Sequence, residues 1–479
     1  MTRSFLIFFC LMNSTVFART LIIGNGSGSV KKTDMRGLES GDTIAIRAGT
    51  YSYSQFSNLS GITIVNYRGL VVFAGQVVEF ANNSQVVFTG TGTAGLTYGF
   101  SFSGQSRDAI LTFGNHTACT WSHIEFRNCT GGNGVINPQT TMLKYDGIHD
   151  STKEYYRCHF VHLHLVNCSS LMGNYHGPLI NVQDSCEYAY ILVDSSGSPS
   201  QINATSFYRA DIHHWILNGI LGHQDDDVGI FQITGNARIH HCKRSGHQWG
   251  WFLRLVQLSL DSSSDSYVYD NIDLGTDAYG FVDYRGFLSP PGISSPAGAR
   301  LHVCNNTVGN YKNLINYVTP VLLNYGTKPF TAEVINNLRF HSRNAPTTDQ
   351  ADTLNIIDYG SENTVTATHN LYIADPIDNA VLKDTVDCYL ESGSPAIDAG
   401  ASVSFIQDDF DGVKRPQGRT FDIGAREYKG PGLRPIRENI PVNSRSIYWL
   451  IFPVGILAIA VFFITGWIMN NRRKKLVGS

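Results

Sequence analysis

Ala210-Asp211-Ile212-His213-His214 returns as Ala237-Arg238-Ile239-His240-His241, 27 residues later. Val228-Gly229-Ile230-Phe231 returns as Trp249-Gly250-Trp251-Phe252, 21 residues later, so the connector of the first copy is the longer by six. Asp225, Asp226 and Asp227 lie in that longer connector. Two adjoining copies of one alternating pattern are the mark of a solenoid, in which each coil buries its apolar face only by stacking on the next. Stacked at these offsets, Asp226 falls beside His247.

Outward from this pair, short alternating runs recur, each closed by Asn, Asp or Ser. Examples are Ile124 to Asn128, Leu163 to Asn167, Val268 to Asn271, Leu301 to Asn305 and Ala332 to Asn336. Period-2 alternation indicates strands. Asn and Asp suit the corners because they tolerate a left-handed backbone and bond their own main chain. A β-sandwich would show hairpin turns every 8–12 residues or so, and few are evident. The pattern predicts an all-β, single-stranded parallel β-helix over residues 19–428.

The ends predict export and tethering. Residues 1–18 carry a basic start at Arg3, a short apolar stretch and Val16-Phe17-Ala18, as a secretory signal does. Residues 447–469 hold no charge, enough to span a bilayer core of roughly 30 Å. Arg472-Arg473-Lys474-Lys475 in the 470–479 tail then places that end in the cytoplasm. Pro431, Pro435 and Pro441 make 429–446 a stalk. A cell-surface location follows, with one C-terminal transmembrane helix and the body outside, as a monomer. Net charge is −3 and charged residues make up 16%, which speaks against a nucleic-acid partner.

Without Cys10, eight cysteines remain for an oxidising compartment. Cys119 and Cys129 flank one strand, which spans roughly 33 Å, so they do not bond each other. A bond between coils, such as Cys129 to Cys168, and a ladder of buried thiols both fit the spacing.

Gly41-Asp42-Thr43-Ile44-Ala45-Ile46-Arg47-Ala48-Gly49-Thr50-Tyr51 resembles the first coil of right-handed parallel β-helix proteins of the pectate-lyase superfamily. Leu390 to Gly400 and Phe421 to Tyr428 resemble the closing segment of bacterial surface β-helix proteins. The resemblance brackets nearly the whole body and carries no chemistry by itself. Asp225-Asp226-Asp227-Val228-Gly229-Ile230, with Gly246-His247 one coil on, is locally similar to the polygalacturonase family. That likeness implies Asp226 as general acid, Asp225 as water-activating base and His247 as their support. The family's further Asp and its Arg-x-Lys have no counterpart here.

Two reactions suit a sugar in a β-helix groove. Inverting hydrolysis needs a carboxylic acid and a carboxylate roughly 6.5–9.5 Å apart, a task for Asp225 and Asp226. Elimination from a uronate needs a cation at the sugar carboxylate, for which Lys243, Arg244 and Arg285 are the candidates. Calcium is a possible cofactor, with Asp227 among its oxygen ligands. His223, Trp249 and Trp251 complete the expected substrate-binding set. Against these stand plainer roles: solvated Asp corners, core tryptophans, ion pairs for Lys243 and Arg244, and ladder histidines with one of each pair pointing inward. The Asp409/Asp411 pair suits turn capping better than calcium. The expected function is binding, and cleavage by hydrolase or lyase chemistry, of an extracellular polysaccharide. A non-catalytic adhesin or envelope protein is the rival.

Overall fold

The computed structural model describes residues 18–430, except 107, 132–133, 140–154, 174–182, 196–201, 220–228, 258–264, 287–299, 310–320, 325–330, 342–355 and 359–363. The chain divides into two units, Met1–Pro435 and Ile436–Ser479. The second lies wholly outside the described residues, as do the proposed membrane helix, tail and most of the signal. Among the described residues no helix is long and apolar enough to cross a membrane.

Every pairing between named strands is parallel and joins a strand to one from a later turn of the chain. Thr20 pairs with Thr43, Thr43 with Thr63, Thr120 with His159, His159 with Glu187, Glu187 with Asp211 and Asp211 with Arg238. Tyr267, His302, Glu333 and Thr366 continue the same column. A chain that returns in register every few dozen residues is a parallel β-helix, as the repeats predict. A second sheet stacks Ser54–Ser57, Val78–Ala81, Ile110–Phe113 and Ile136–Gln139.

The 27-residue repeat is reproduced residue for residue, Ala210 on Ala237 through His213 on His240. The shorter repeat is corrected by one position. Gly229 pairs with Trp251 and Phe231 with Leu253, an offset of 22 rather than 21. The strand Lys243–Gln257 shifts register against its later neighbour between Gly246 and Trp249, and such irregularities displace an alignment read by eye.

Inward positions hold ring-on-ring stacks that continue from coil to coil. Trp121 lies on Phe160 and Phe160 on Tyr188, each at 4.9 Å between centroids. In the later coils a buried asparagine ladder takes over one corner. Asn271 Nδ2 donates to Asn306 Oδ1 at 3.0 Å, Asn306 to Asn337 at 2.9 Å and Asn337 to Asn370 at 3.0 Å. The other amide proton of each reaches a backbone carbonyl of the preceding coil, such as Ile239 or Val268. Buried amides are thereby satisfied, as burial demands.

All eight cysteines of the body are free and buried. Cys119 and Cys158 sit one coil apart, and so do Cys129 and Cys168, their thiols donating to backbone carbonyls such as those of Asn83, His116, Phe102 and Val166. Of the two arrangements the spacing allows, the thiol ladder is the one formed.

Residues 375–428 leave the helical path and pack along its later coils. Asn305 Nδ2 donates to the carbonyl of Asp422, Asn336 Nδ2 to that of Ala401, and Arg415 forms a buried ion pair with Asp270 at 2.8 Å. Their apolar residues Val381, Leu382, Leu390, Ala396 and Ile423 cover Ile272, Leu274, Leu338 and Phe340. Asp409 accepts the backbone N–H groups of Asp411, Val413 and Glu427, the turn-capping role expected of it.

Candidate functional site: a histidine and carboxylate flank

One corner of the β-helix repeats a left-handed residue in coil after coil. His123, His162, Tyr190, His214, His241, Asp270, Asn305, Asn336 and His369 all have φ between 50° and 59°, and register places them in one column. Asn, Asp and His are the side chains that accept this conformation most readily; Tyr190 is the exception. The left-handed residue breaks the strand alternation, so two consecutive side chains face outward there. Ile212 and Trp215 point into the core, and His213 and His214 between them do not. The expectation that one histidine of each pair points inward is thereby corrected, while the ladder itself is present.

The rings of this corner stack. His123 to His162 is 4.8 Å between centroids, His162 to Tyr190 4.9 Å, Tyr190 to His214 4.7 Å and His214 to His241 5.0 Å. Beside them His213 lies on His240 at 5.0 Å and His240 on Tyr269 at 4.7 Å. Rings stacked on one another present their edges, and therefore their polar atoms, outward. His123, His162, Tyr190 and His214 are half-buried. His241 is buried because the C-terminal segment lies over it, and its Nε2 donates to the carbonyl of Asp409 at 2.8 Å.

Carboxylates interleave with these rings. Glu187 receives His159 Nδ1 at 2.6 Å on one oxygen and His213 Nε2 at 3.1 Å on the other. His164 lies between Asp194, 2.9 Å from Nε2, and Glu125, 3.5 Å from Nδ1. His240 Nε2 is 3.0 Å from Asp211. The hydrogen bond from His164 holds Glu125 down to about 2. The bonds from His159 and His213 hold Glu187 well below the usual carboxylate range. Burial pushes Asp211 up, yet the bond and charge of His240 outweigh it and leave its pKa lowered.

The histidines divide. Burial pulls His214 down to about 3 and His123 down to about 4, and it lowers His162. Burial opposes the charge on His164, but its two carboxylate partners prevail and raise it. His240 is lowered by burial against the pull of Asp211. Burial also keeps His241 neutral. Since His241 Nε2 is the donor to Asp409, its Nδ1 carries the lone pair facing His240 Nδ1 at 2.7 Å. A neutral His240 has one proton, which serves either His241 or Asp211 but not both. The flank thus holds three hydrogen-bonded groups of imidazoles and carboxylates, His159–Glu187–His213–His214, Glu125–His164–Asp194 and Asp211–His240–His241.

The residues nominated from sequence fare differently. His223, Asp225, Asp226 and Asp227 lie outside the described residues. His247 and Trp249 are on the strand Lys243–Gln257 and Arg285 is on Ile272–Gly286, but their side chains lie outside the described set. Lys243 is corrected from a free cation to the partner of Asp387 in the C-terminal segment, 2.9 Å away. Arg244 is corrected from the surface to the interior, where it is fully buried and paired with Asp273. Alternation from the left-handed corner forces this, because Arg244 follows Leu217 and Val193 in an inward column. Trp251 is 3% exposed and belongs to the core rather than to a sugar platform. Among the described residues no group of three His, Cys, Asp or Glu side chains is arranged to hold a metal ion.

The flank residues His159, His164, Glu125, Glu187 and Asp194 were not singled out by sequence. Their signal was present: His159, His162 and His164 alternate along one strand, and Glu187 follows His159 by one coil.

No family model matches the chain, and no curated protein does. Among solved structures it is similar to pectate lyase Pel9A, with 12% identity over 85% of this chain and 97% of that chain and a TM-score of 0.36. It is also similar to pectate lyase Bsp165PelA from Bacillus sp. N165, solved in complex with trigalacturonate. That match has 11% identity over 75% of this chain and 83% of that one, with a TM-score of 0.19. Likeness at this level assigns no residue a role.

Proposed function

We propose that this protein is a surface-tethered β-helix that binds an extracellular polysaccharide along the corner from His123 to His240. The observation that carries the reading is the column of half-buried rings His123, His162, Tyr190 and His214 on four consecutive coils, with the carboxylates Glu125, Glu187, Asp194 and Asp211 on three of them. Coils repeat at the strand spacing of about 4.8 Å, so hydrogen-bonding groups recur along the flank at the scale of a sugar ring. A linear polymer with a short repeat meets equivalent groups at each step. The basic start and apolar stretch at 1–18 and the uncharged 447–469 segment are the sequence features behind the proposed surface location. Cleavage at the aspartate connector 225–227, with His247, belongs to this same reading.

The test is affinity electrophoresis of the purified body against acidic, neutral and amino polysaccharides. Retardation by at least one polymer is expected, weakened about tenfold or more in His162→Ala and Tyr190→Ala, each of which removes polar edges from the corner. A folded wild type that no polymer retards would reject the proposal in favour of the adhesin or envelope role.

A further inference from the structure

Building on the proposed glycan site, we infer that Glu187 and His159 form a general-base dyad that hydrolyses an ester on the bound polysaccharide. The Glu187 carboxylate accepts from His159 Nδ1 at 2.6 Å. The proton of the neutral imidazole is therefore on Nδ1, and Nε2 keeps its lone pair. The His159 side chain is 44% exposed, so that lone pair meets solvent and any bound chain. A carboxylate that fixes the tautomer and orientation of an imidazole is the arrangement by which a weak base is made effective.

The neighbouring histidines are committed differently. His164 has a carboxylate at each nitrogen, and His213 and His240 have a carboxylate at one and a histidine at the other. His162 is stacked between His123 and Tyr190, and no carboxylate is seen to orient it.

Ester hydrolysis is the step this pair can complete. A water hydrogen-bonded to His159 Nε2 gives up a proton to that nitrogen as its oxygen adds to the acyl carbon. The adduct collapses, the bond from acyl carbon to the leaving oxygen breaks, and that oxygen takes the proton back from Nε2. Ester and water become acid and alcohol, and the dyad returns to its starting state. Hydrolysis of a glycosidic bond would need a neutral carboxylic acid as well, whereas Glu125, Glu187 and Asp211 are all held towards ionisation. Of the cations nominated for elimination, the two with described side chains, Lys243 and Arg244, are held by Asp387 and Asp273.

The experiment measures acid release by pH-stat from O-acetylated and methyl-esterified polysaccharides, with binding of the same polymers after chemical de-esterification followed in parallel. Wild type is expected to release acid. His159→Gln should lose the rate by about a hundredfold or more, the usual share of a general base, while binding the de-esterified polymer as before. Glu187→Gln should lower kcat about tenfold with KM unchanged, whereas a purely structural role would weaken binding and rate together. Binding without acid release by wild type, or release unchanged in His159→Gln, would overturn the dyad and leave glycan binding standing. Loss of binding to every polymer would instead strike the underlying site.

Discussion

At the scale of single residues, the same residue type serves opposite ends on the two sides of one strand. Lys243 and Arg244 are adjacent, yet one meets Asp387 at the surface and the other is sealed beside Asp273. Removing one member of a buried pair strips the other of that compensating charge, at a cost of about 3–5 kcal/mol. Arg244→Met should therefore destabilise the body by that amount in urea unfolding, and adding Asp273→Leu should restore most of it. If the single variant unfolds with the wild-type midpoint, the interior placement of Arg244 is wrong.

His214 supplies a second test at this scale. Its folded pKa of about 3 lies below the ordinary 6.5, so between those values the unfolded chain binds the proton and the folded one does not. Stability is then fully present above pH 6.5 and is lost as the pH falls towards 3. Each such histidine adds on the order of 1 kcal/mol per pH unit to the slope across that window, and His123 acts in the same direction down to about 4. Thermal unfolding should show Tm falling from pH 7 to pH 4.5. His214→Tyr, which copies the residue one coil earlier, should flatten that slope without abolishing folding.

At the scale of elements, each corner column is a unit. The asparagine ladder ties four coils together through amides whose remaining bonds go to buried backbone groups of the same and neighbouring coils. Asn306→Ala removes its bonds to both Asn271 and Asn337 and strands a backbone carbonyl at Val268. Unsatisfied buried groups cost about 1–3 kcal/mol each, so a loss of about 3 kcal/mol or more is expected in denaturant titration. A loss under about 1 kcal/mol would mean that water reaches the ladder. The column of left-handed residues explains why the flank of rings exists at all. Once the backbone turns at each corner, the residues before and at the turn both face out, and the histidine pairs become a surface.

At the scale of the whole molecule, the eight buried thiols make a global statement. Burial pushes the Cys158, Cys242 and Cys304 thiols up, so they are neither exposed nor ionised in the folded state. A thiol reagent at pH 8 should leave all eight unreacted in native protein and modify all eight in guanidinium. Fast reaction of any one without unfolding would show that its coil opens locally. Cooperative protection along the solenoid is expected because each coil is stabilised only by its neighbours.

The sequence by itself determined the fold, the coil offset at 210–241 and the closing segment, because alternation and corner residues are local properties that repeat. It also supplied Asp409 as a turn cap, since an Asx turn is made within a few residues. Only the tertiary structure decided which face each charged or ring side chain took. One left-handed residue reverses alternation in the run after it, which sent Arg244 inward and both members of each histidine pair outward, and the register shifts between Gly246 and Trp251 then turned Trp251 inward as well. It likewise decided the partners, because Glu187 meets His159 and His213 only when three coils stack, and Lys243 meets Asp387 only when a segment far along the chain folds back. Contacts of that kind depend on register summed over many residues, and a shift of a single position redirects them all.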